Sequence, residues 1–341
     1  MLSAYLEWPS QIRHAVSKWD LVKVTGEYRD IAVFGMGGSG IVGDYLQVLS
    51  SQVGRCPVTV VKSHLVPSFI DKYTLSIVVS YSGNTLETLL AFKSILEKRV
   101  PVVAVSSGGL LKELSQRYGV LHVDVPSGLV PRASLPSMLF SVLGVLSHSS
   151  CSLITKKEAE NCAEFLEENL PEIERKAREI SDWLFEKAIA EKKLIVLATH
   201  SPLEALAVRF KNELNENSKV ITKVDVAPEW MHNDIVGYEM PNIANYAVLE
   251  IVDPDDPVGA KLVEFMESVY KEHDAIFRSV ELKGRNALEK LLYGSLVAGL
   301  TSVHLAEKRG IDPVVTRSIA MYKNKVREIF PVTPWLNFKA T

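Results

Sequence analysis

Two short stretches of the chain carry the residue types that hold a phosphate. Residues 31–46, IAVFGMGGSGIVGDYL, run from apolar residues into glycines, with G-x-G-x-x-G spacing at Gly35, Gly37 and Gly40. A glycine-rich turn from strand to helix lets the backbone N–H groups of Gly37 and Gly38 reach an anion at a helix N-terminus. Ser39 adds a hydroxyl. Residues 80–88, SYSGNTLET, gather Ser80, Ser82 and Thr85 around Gly83. One hydroxyl before a helix is an ordinary N-cap. Three around a glycine, after a strand, form an anion cradle of neutral donors. The glycine spacing also occurs in dinucleotide sites, but these need an acidic residue at the end of the second strand to bind the ribose. Here that strand, VTVVKSH, ends in Lys62. Only a nucleotide with an extra phosphate, of the NADP kind, keeps the dinucleotide reading open.

Four further stretches could act on a bound phosphate ester. PRASLP (131–136) places Arg132 after a proline, where a guanidinium can meet developing negative charge. Its plain alternative is a surface arginine in a turn. FKNELNENSK (210–219) ends a helix with Glu213 and Glu216 on one face. Carboxylates in a last turn oppose the helix dipole, which makes them poor structural choices and better bases. PEWMHNDIVG (228–237) puts His232 in a polar loop, the most functional setting among the eight histidines. RGIDPVVTRSIAMYKNKV (309–326) turns into a helix with Thr316 and Lys323 two turns apart on one face. His304 lies within a helical pattern and reads as packing.

These loops need strands to aim them. Residues 31–35, 57–61, 75–81, 100–105 and 120–125 are short, continuous apolar runs, as in strands buried on both faces of a parallel sheet. Helical patterns separate several of them, such as 85–99. Residues 133–155 carry no formal charge, but their serines, Pro136 and His148 favour a buried helix over a membrane span. Residues 156–193 are charged and helical in period, and the domain boundary is placed near 153. A second α/β pattern follows, with strands at 194–199, 219–224, 245–252 and about 275–281 and helices at 203–216, 258–272 and 286–309. The expected fold is therefore α/β with two lobes in tandem, residues 1–152 and 153–341.

Bulk properties narrow the class. The chain has 341 residues, 47% hydrophobic and 23% charged, with a net charge of -3. That is a globular composition with no basic excess for nucleic acid. No basic segment leads into an apolar one at the N-terminus, so a cytoplasmic protein is expected, without membrane attachment. Cys56, Cys151 and Cys162 are too sparse for a disulfide framework. A Cys151–Cys162 bridge is conceivable, and inert thiols are the expected state. No His, Asp or Glu cluster has metal-ligand spacing.

GMGGSG together with SYSGNT resembles the sugar isomerase (SIS) domain, a flavodoxin-like parallel-sheet unit that binds phosphosugars. PRASLP, ENSK, the His232 loop and the Thr316/Lys323 helix resemble a narrower group, the bifunctional phosphoglucose/phosphomannose isomerases, over about residues 30–325. The resemblance implies two tandem SIS domains, the second carrying the catalytic base, and an aldose–ketose isomerisation of hexose 6-phosphates without cofactor or metal. It implies Glu216 as the base, which leaves Glu213 a structural role, Arg132 as the stabiliser of an enediolate, and His232 and Lys323 as the ring-opening pair. It also implies that His232 reaches in from a neighbouring subunit, which requires a homodimer. Thr316 would leave room at C2 for both glucose and mannose epimers. Relatives often carry an acidic residue after SGNT, where this chain has Leu86, a departure that should touch packing and not chemistry. Three other functions fit the phosphate loops: an amino-sugar phosphate isomerase, a sugar-phosphate-sensing protein without turnover, and an NADP-dependent oxidoreductase.

Overall fold

The computed structural model describes residues 1–54, 56–240 and 245–330. Residues 331–341, the end of the second expected lobe, lie outside the described residues. Two short helices, α1 (Leu2–Leu6) and α2 (Trp8–Ser17), precede the first sheet. Its strands are β1 (Asp30–Phe34), β2 (Val58–Val61), β3 (Thr74–Val79), β4 (Val102–Ser106) and β5 (Leu121–Asp124). All pair in parallel, in the order β2-β1-β3-β4-β5. This is a flavodoxin-like order, and the strand order reverses between β1 and β3. Helices α3 (Gly40–Val53), α4 (Leu86–Lys98), α5 (Gly109–Tyr118) and α6 (Leu135–Leu146) complete this half.

The long α7 (Lys156–Trp183) opens with a capping box between Thr155 and Glu158 and leads into the second half. There β6 (Leu194–His200), α8 (Glu204–Ser218), β7 (Thr222–Ala227), β8 (Tyr246–Val252), α9 (Pro257–Lys271), β9 (Ile276–Glu281), α10 (Ala287–Lys308) and α11 (Arg317–Ile329) follow. The second sheet is again parallel, in the order β7-β6-β8-β9. It repeats the first with one strand fewer.

The sequence pattern explains the layering. Alternate residues of β1 and β6 enter different cores. Ile31 and Val33 of β1 join Ile195 and Leu197 of β6 in one continuous apolar core that also contains residues of α2, α6, α7, α8 and α10. Ala32 and Phe34 face the core beneath α4 and α5. Val196 and Ala198 face the one beneath α9. Both faces of each strand are thus covered, as unbroken apolar runs require. The uncharged stretch 133–155 contains α6, almost wholly buried, with Pro136 in its first turn. Among the described residues no helix is long and apolar enough to cross a membrane.

Two expectations are corrected. The strand expected at 219–224 forms at Thr222–Ala227, because α8 continues to Ser218 and Lys219 takes the left-handed conformation that ends it. The cysteines are not all thiols, and Cys151 does not pair with Cys162. Cys151, in the loop after α6, bonds Cys56, just before β2, with their Cα atoms 5.3 Å apart. The fold closes a separation of 95 residues that linear spacing cannot reveal. Cys162 is free and packed inside α7, where burial pushes its thiol up to about 12. Thiol titration of the unfolded protein should therefore find one reactive thiol before reduction and three after it. Replacing Cys56 and Cys151 by alanine should cost about 2–5 kcal/mol of stability, read as a lower thermal midpoint. Three thiols before reduction would contradict the pairing.

Candidate functional site

The two phosphate-type loops lie side by side, after β1 and β3, where the strand order reverses. Gly37 has φ +54° and Gly83 has φ +67°. A Cβ on Gly83 would lie 1.8 Å from the carbonyl oxygen of Gly108, so no side chain is tolerated there. The loops are laced together. Ser39 Oγ accepts from the Tyr81 N–H at 3.1 Å. Ser80 Oγ donates to Thr85 Oγ1 at 3.2 Å. Ser82 Oγ accepts from the Asn84 N–H at 3.3 Å.

The turn bearing Arg132, Pro131–Ser134, rests on the glycine loop. A Cβ on Gly38 would come within 3.0 Å of the Pro131 backbone, so glycine permits the approach. Trp8 Nε1 and Gln11 Nε2 both donate to the Ala133 carbonyl at 3.0 Å and hold the turn from below. Arg132 is 4% exposed, not a surface arginine. Its Nη1 donates to Glu216 Oε2 at 3.0 Å, Nε to Asn217 Oδ1 at 2.6 Å and Nη2 to the Pro313 carbonyl at 2.6 Å. Three of the five guanidinium N–H groups are engaged and two are not, and Arg132 itself lines neither of the two spaces that Glu216 faces.

Glu216 stands in the last turn of α8, and Lys219 caps that helix by donating to the Glu216 carbonyl at 2.6 Å and the Asp312 carbonyl at 3.2 Å. Glu216 faces two spaces. One is a 420 Å³ cavity lined by Gly37, Gly38, Ser39, Ser82, Thr85, Pro131, Glu216 and Lys323 among others. The other is an open groove of 910 Å³ that includes Glu216, Lys219, Thr316 and Ile319. The cavity has the size of a small-ligand site. The structure therefore brings together the glycine loop, Ser82, Thr85, Glu216 and Lys323, with Thr316 on the far side of Glu216. Ser80 is buried behind Thr85 and does not line the cavity. His232 is exposed and lines neither space. Lys62 is held by Asp44 at 2.6 Å and lines a different cleft, not the cavity that Glu216 faces. His304 is buried within α10, as expected of packing.

The sequence did not show how several residues around the site are engaged. Glu213 is fully buried and paired with Arg209, which also donates to the Arg132 carbonyl. Tyr5 of α1 donates to Glu213 at 2.5 Å. Burial raises both the Tyr5 and Glu213 pKa values. The i,i+4 spacing of Arg209 and Glu213 marks a helix pair, but nothing local marks its burial or its reach to Tyr5. On α11, the neighbour of Lys323, Tyr322, donates to buried Glu87 at the start of α4. That carboxylate pushes the phenol up to about 12. Among the described residues no group of three or more His, Cys, Asp or Glu could hold a metal.

Comparison with known proteins agrees with this architecture. The SIS domain family matches residues 27–111, and the bacterial phospho-glucose isomerase C-terminal SIS domain matches residues 173–326. The bifunctional phosphoglucose/phosphomannose isomerase of Aquifex aeolicus is 32% identical over 91% of this chain and 94% of its own length. The chain belongs to this family. The enzyme of the same description from Aeropyrum pernix is also 32% identical, over 96% of this chain and 98% of its own. Among solved structures, tagatose-6-phosphate ketose/aldose isomerase from Escherichia coli superposes with a TM-score of 0.68 at 15% identity, covering 92% of this chain and 93% of that one, which shows a common fold.

Helix α11 carries both Thr316, at its N-cap, and Lys323, yet most of its residues are exposed. The Tyr322–Glu87 bond ties it to the cradle. Tyr322→Phe should weaken that attachment by about 1–2 kcal/mol and speed amide exchange across Arg317–Ile329 by about tenfold. Unchanged exchange would show that apolar packing alone holds the helix.

Proposed function

We propose that this protein is an aldose–ketose isomerase that interconverts glucose 6-phosphate and mannose 6-phosphate with fructose 6-phosphate through a cis-enediol. One observation carries the reading. A carboxylate, Glu216, forms one wall of a cavity whose other wall is a neutral phosphate cradle, and an almost buried arginine touches that carboxylate at 3.0 Å.

The phosphate sits against the N–H groups of Gly37 and Gly38 and the hydroxyls of Ser82 and Thr85. Ser39 and Ser80, whose hydroxyls lace the loops, fix the cradle's shape and supply dipoles behind it. The sugar then extends towards Glu216. Lys323 shares the cavity and moves a proton at the ring oxygen. His232 opens the ring from a second copy of the chain, which makes the working unit a cytoplasmic homodimer. In the open aldose, Glu216 removes the C2 proton. The electron pair of that bond forms the C1–C2 double bond, and charge collects on the carbonyl oxygen. The two free N–H groups of Arg132 hold that charge. The proton returns to C1, the O2 proton moves to O1, and the ketose forms. Return to either face of C2 gives the two epimeric aldoses, and the small Thr316 side chain accommodates both. The reaction serves sugar-phosphate metabolism, in the glycolytic or gluconeogenic direction, and the cradle, base and arginine require no cofactor or metal.

The test is direct. Fructose 6-phosphate incubated with the protein in chelator-treated, nucleotide-free buffer should yield both glucose 6-phosphate and mannose 6-phosphate. Glucose 6-phosphate alone would limit the claim to one epimer. Binding without either product would favour a sensing role. Glu216→Gln should lower kcat by about 10²- to 10⁴-fold while inorganic phosphate inhibits as before. Equal loss of both would contradict the role of base.

A further inference from the structure

Immediately after Glu216 stands a residue whose side chain has every polar atom occupied. Asn217 is completely buried. Its Oδ1 accepts from Arg132 Nε at 2.6 Å. Its Nδ2 faces Glu213 Oε2 at 2.9 Å, Ser302 Oγ at 2.8 Å and the Tyr5 hydroxyl at 3.1 Å. The surroundings dictate which way the amide points. A guanidinium only donates, so the amide oxygen must face Arg132, and a carboxylate is met best by the NH₂ group. An aspartate here would set two carboxylates together in a dry interior, and a leucine would leave Arg132 Nε unpaired. Asparagine is the residue that can accept on one side and donate on the other.

Two of the three anchors of Arg132, Glu216 and Asn217, are neighbours on α8, and the third is the Pro313 carbonyl before α11. Glu216 lines the cavity and the groove, but Asn217 is fixed within the core. It is held by α8 itself, by Ser302 of α10 and by Tyr5 of α1. Glu213, which accepts from Asn217, is paired with Arg209, whose other contact is the Arg132 carbonyl. A closed ring of polar contacts therefore runs from the Arg132 side chain through Asn217, Glu213 and Arg209 back to the Arg132 backbone. Such a ring fixes both ends of one side chain. We propose that Asn217 is a positioning residue for the isomerisation, setting the guanidinium plane of Arg132 from the core so that its two free N–H groups meet the enediolate. The inference rests on the reading that Arg132 stabilises that intermediate. Asn217 touches no substrate, and its effect passes through Arg132.

A double-mutant cycle separates this role from a structural one. The parameters are kcat and KM for fructose 6-phosphate, the inhibition constant of inorganic phosphate and the thermal midpoint. Asn217→Ala should lower kcat by about 10- to 100-fold, the scale of a misaimed group, with KM and phosphate inhibition within about twofold. In an Arg132→Ala background the same substitution should change kcat less than about twofold, because the group it positions is gone. If Asn217→Ala does not fold, Asn217→Ser, which keeps a small polar group without the reach to Arg132, should show the same pattern. Losses that multiply in the double variant, or a kcat that does not fall in the single ones, would overturn the proposal. An Arg132→Ala variant with unchanged kcat would instead overturn the enediolate reading.

Discussion

Arg132 and Glu216 meet at 3.0 Å although they are carried by different lobes. Arg132 comes from the turn that follows the first sheet, and Glu216 from a helix packed on the second. The site works only if two separately built parallel-sheet units are held in register to a fraction of an ångström. The continuous core shared by both sheets supplies the bulk of that constraint. Apolar contact is non-directional, so the fine register falls to polar contacts beneath the site. These are the buried Arg209–Glu213 pair, the Tyr5 hydroxyl and the Asn217 amide. A buried ion pair adds little net stability against an apolar replacement, but removing one partner costs about 3–5 kcal/mol. The chain spends such a network where position matters more than stability.

The phosphate side follows different physics. With a net charge of -3 the chain offers a hexose phosphate no long-range attraction. The cradle answers with aligned backbone N–H groups, hydroxyls and helix N-termini, all neutral and fixed before a ligand arrives. An unfavourable neighbour on its own side of the cavity is Glu87, whose carboxylate is engaged by Tyr322. The same contact ties α11, the helix bearing Lys323, to the first turn of α4.

Much of this was legible along the chain. The unbroken apolar runs of β1, β3 and β6 foretold strands covered on both faces, and the glycine and serine loops fell where parallel strands end. The uncharged stretch after Pro131 was readable as a buried helix because its serines and proline spoil a lipid-facing one. Register was less legible. β7 begins three residues later than its pattern suggests, because Lys219 adopts a left-handed turn that its residue type does not announce. Contacts across the chain were not legible at all. Tyr5 reaches Glu213 over 208 positions, and Asn217 reads as one more polar residue in ENSK until the fold sets it against Arg132. The Cys56–Cys151 bond belongs to the same class.

The central claim is that proton transfer at C1 and C2, with Glu216 as the carrier, interconverts the sugars. It is tested most directly by bringing fructose 6-phosphate to equilibrium with the protein in deuterium oxide and reading the products by NMR. A carboxylate that takes a proton from carbon exchanges it with solvent over repeated turnovers, so deuterium should accumulate at C1 of the ketose and C2 of the aldoses, and nowhere else. Full conversion with no deuterium at either carbon would mean that hydrogen moves between them without a base, and the account would be wrong.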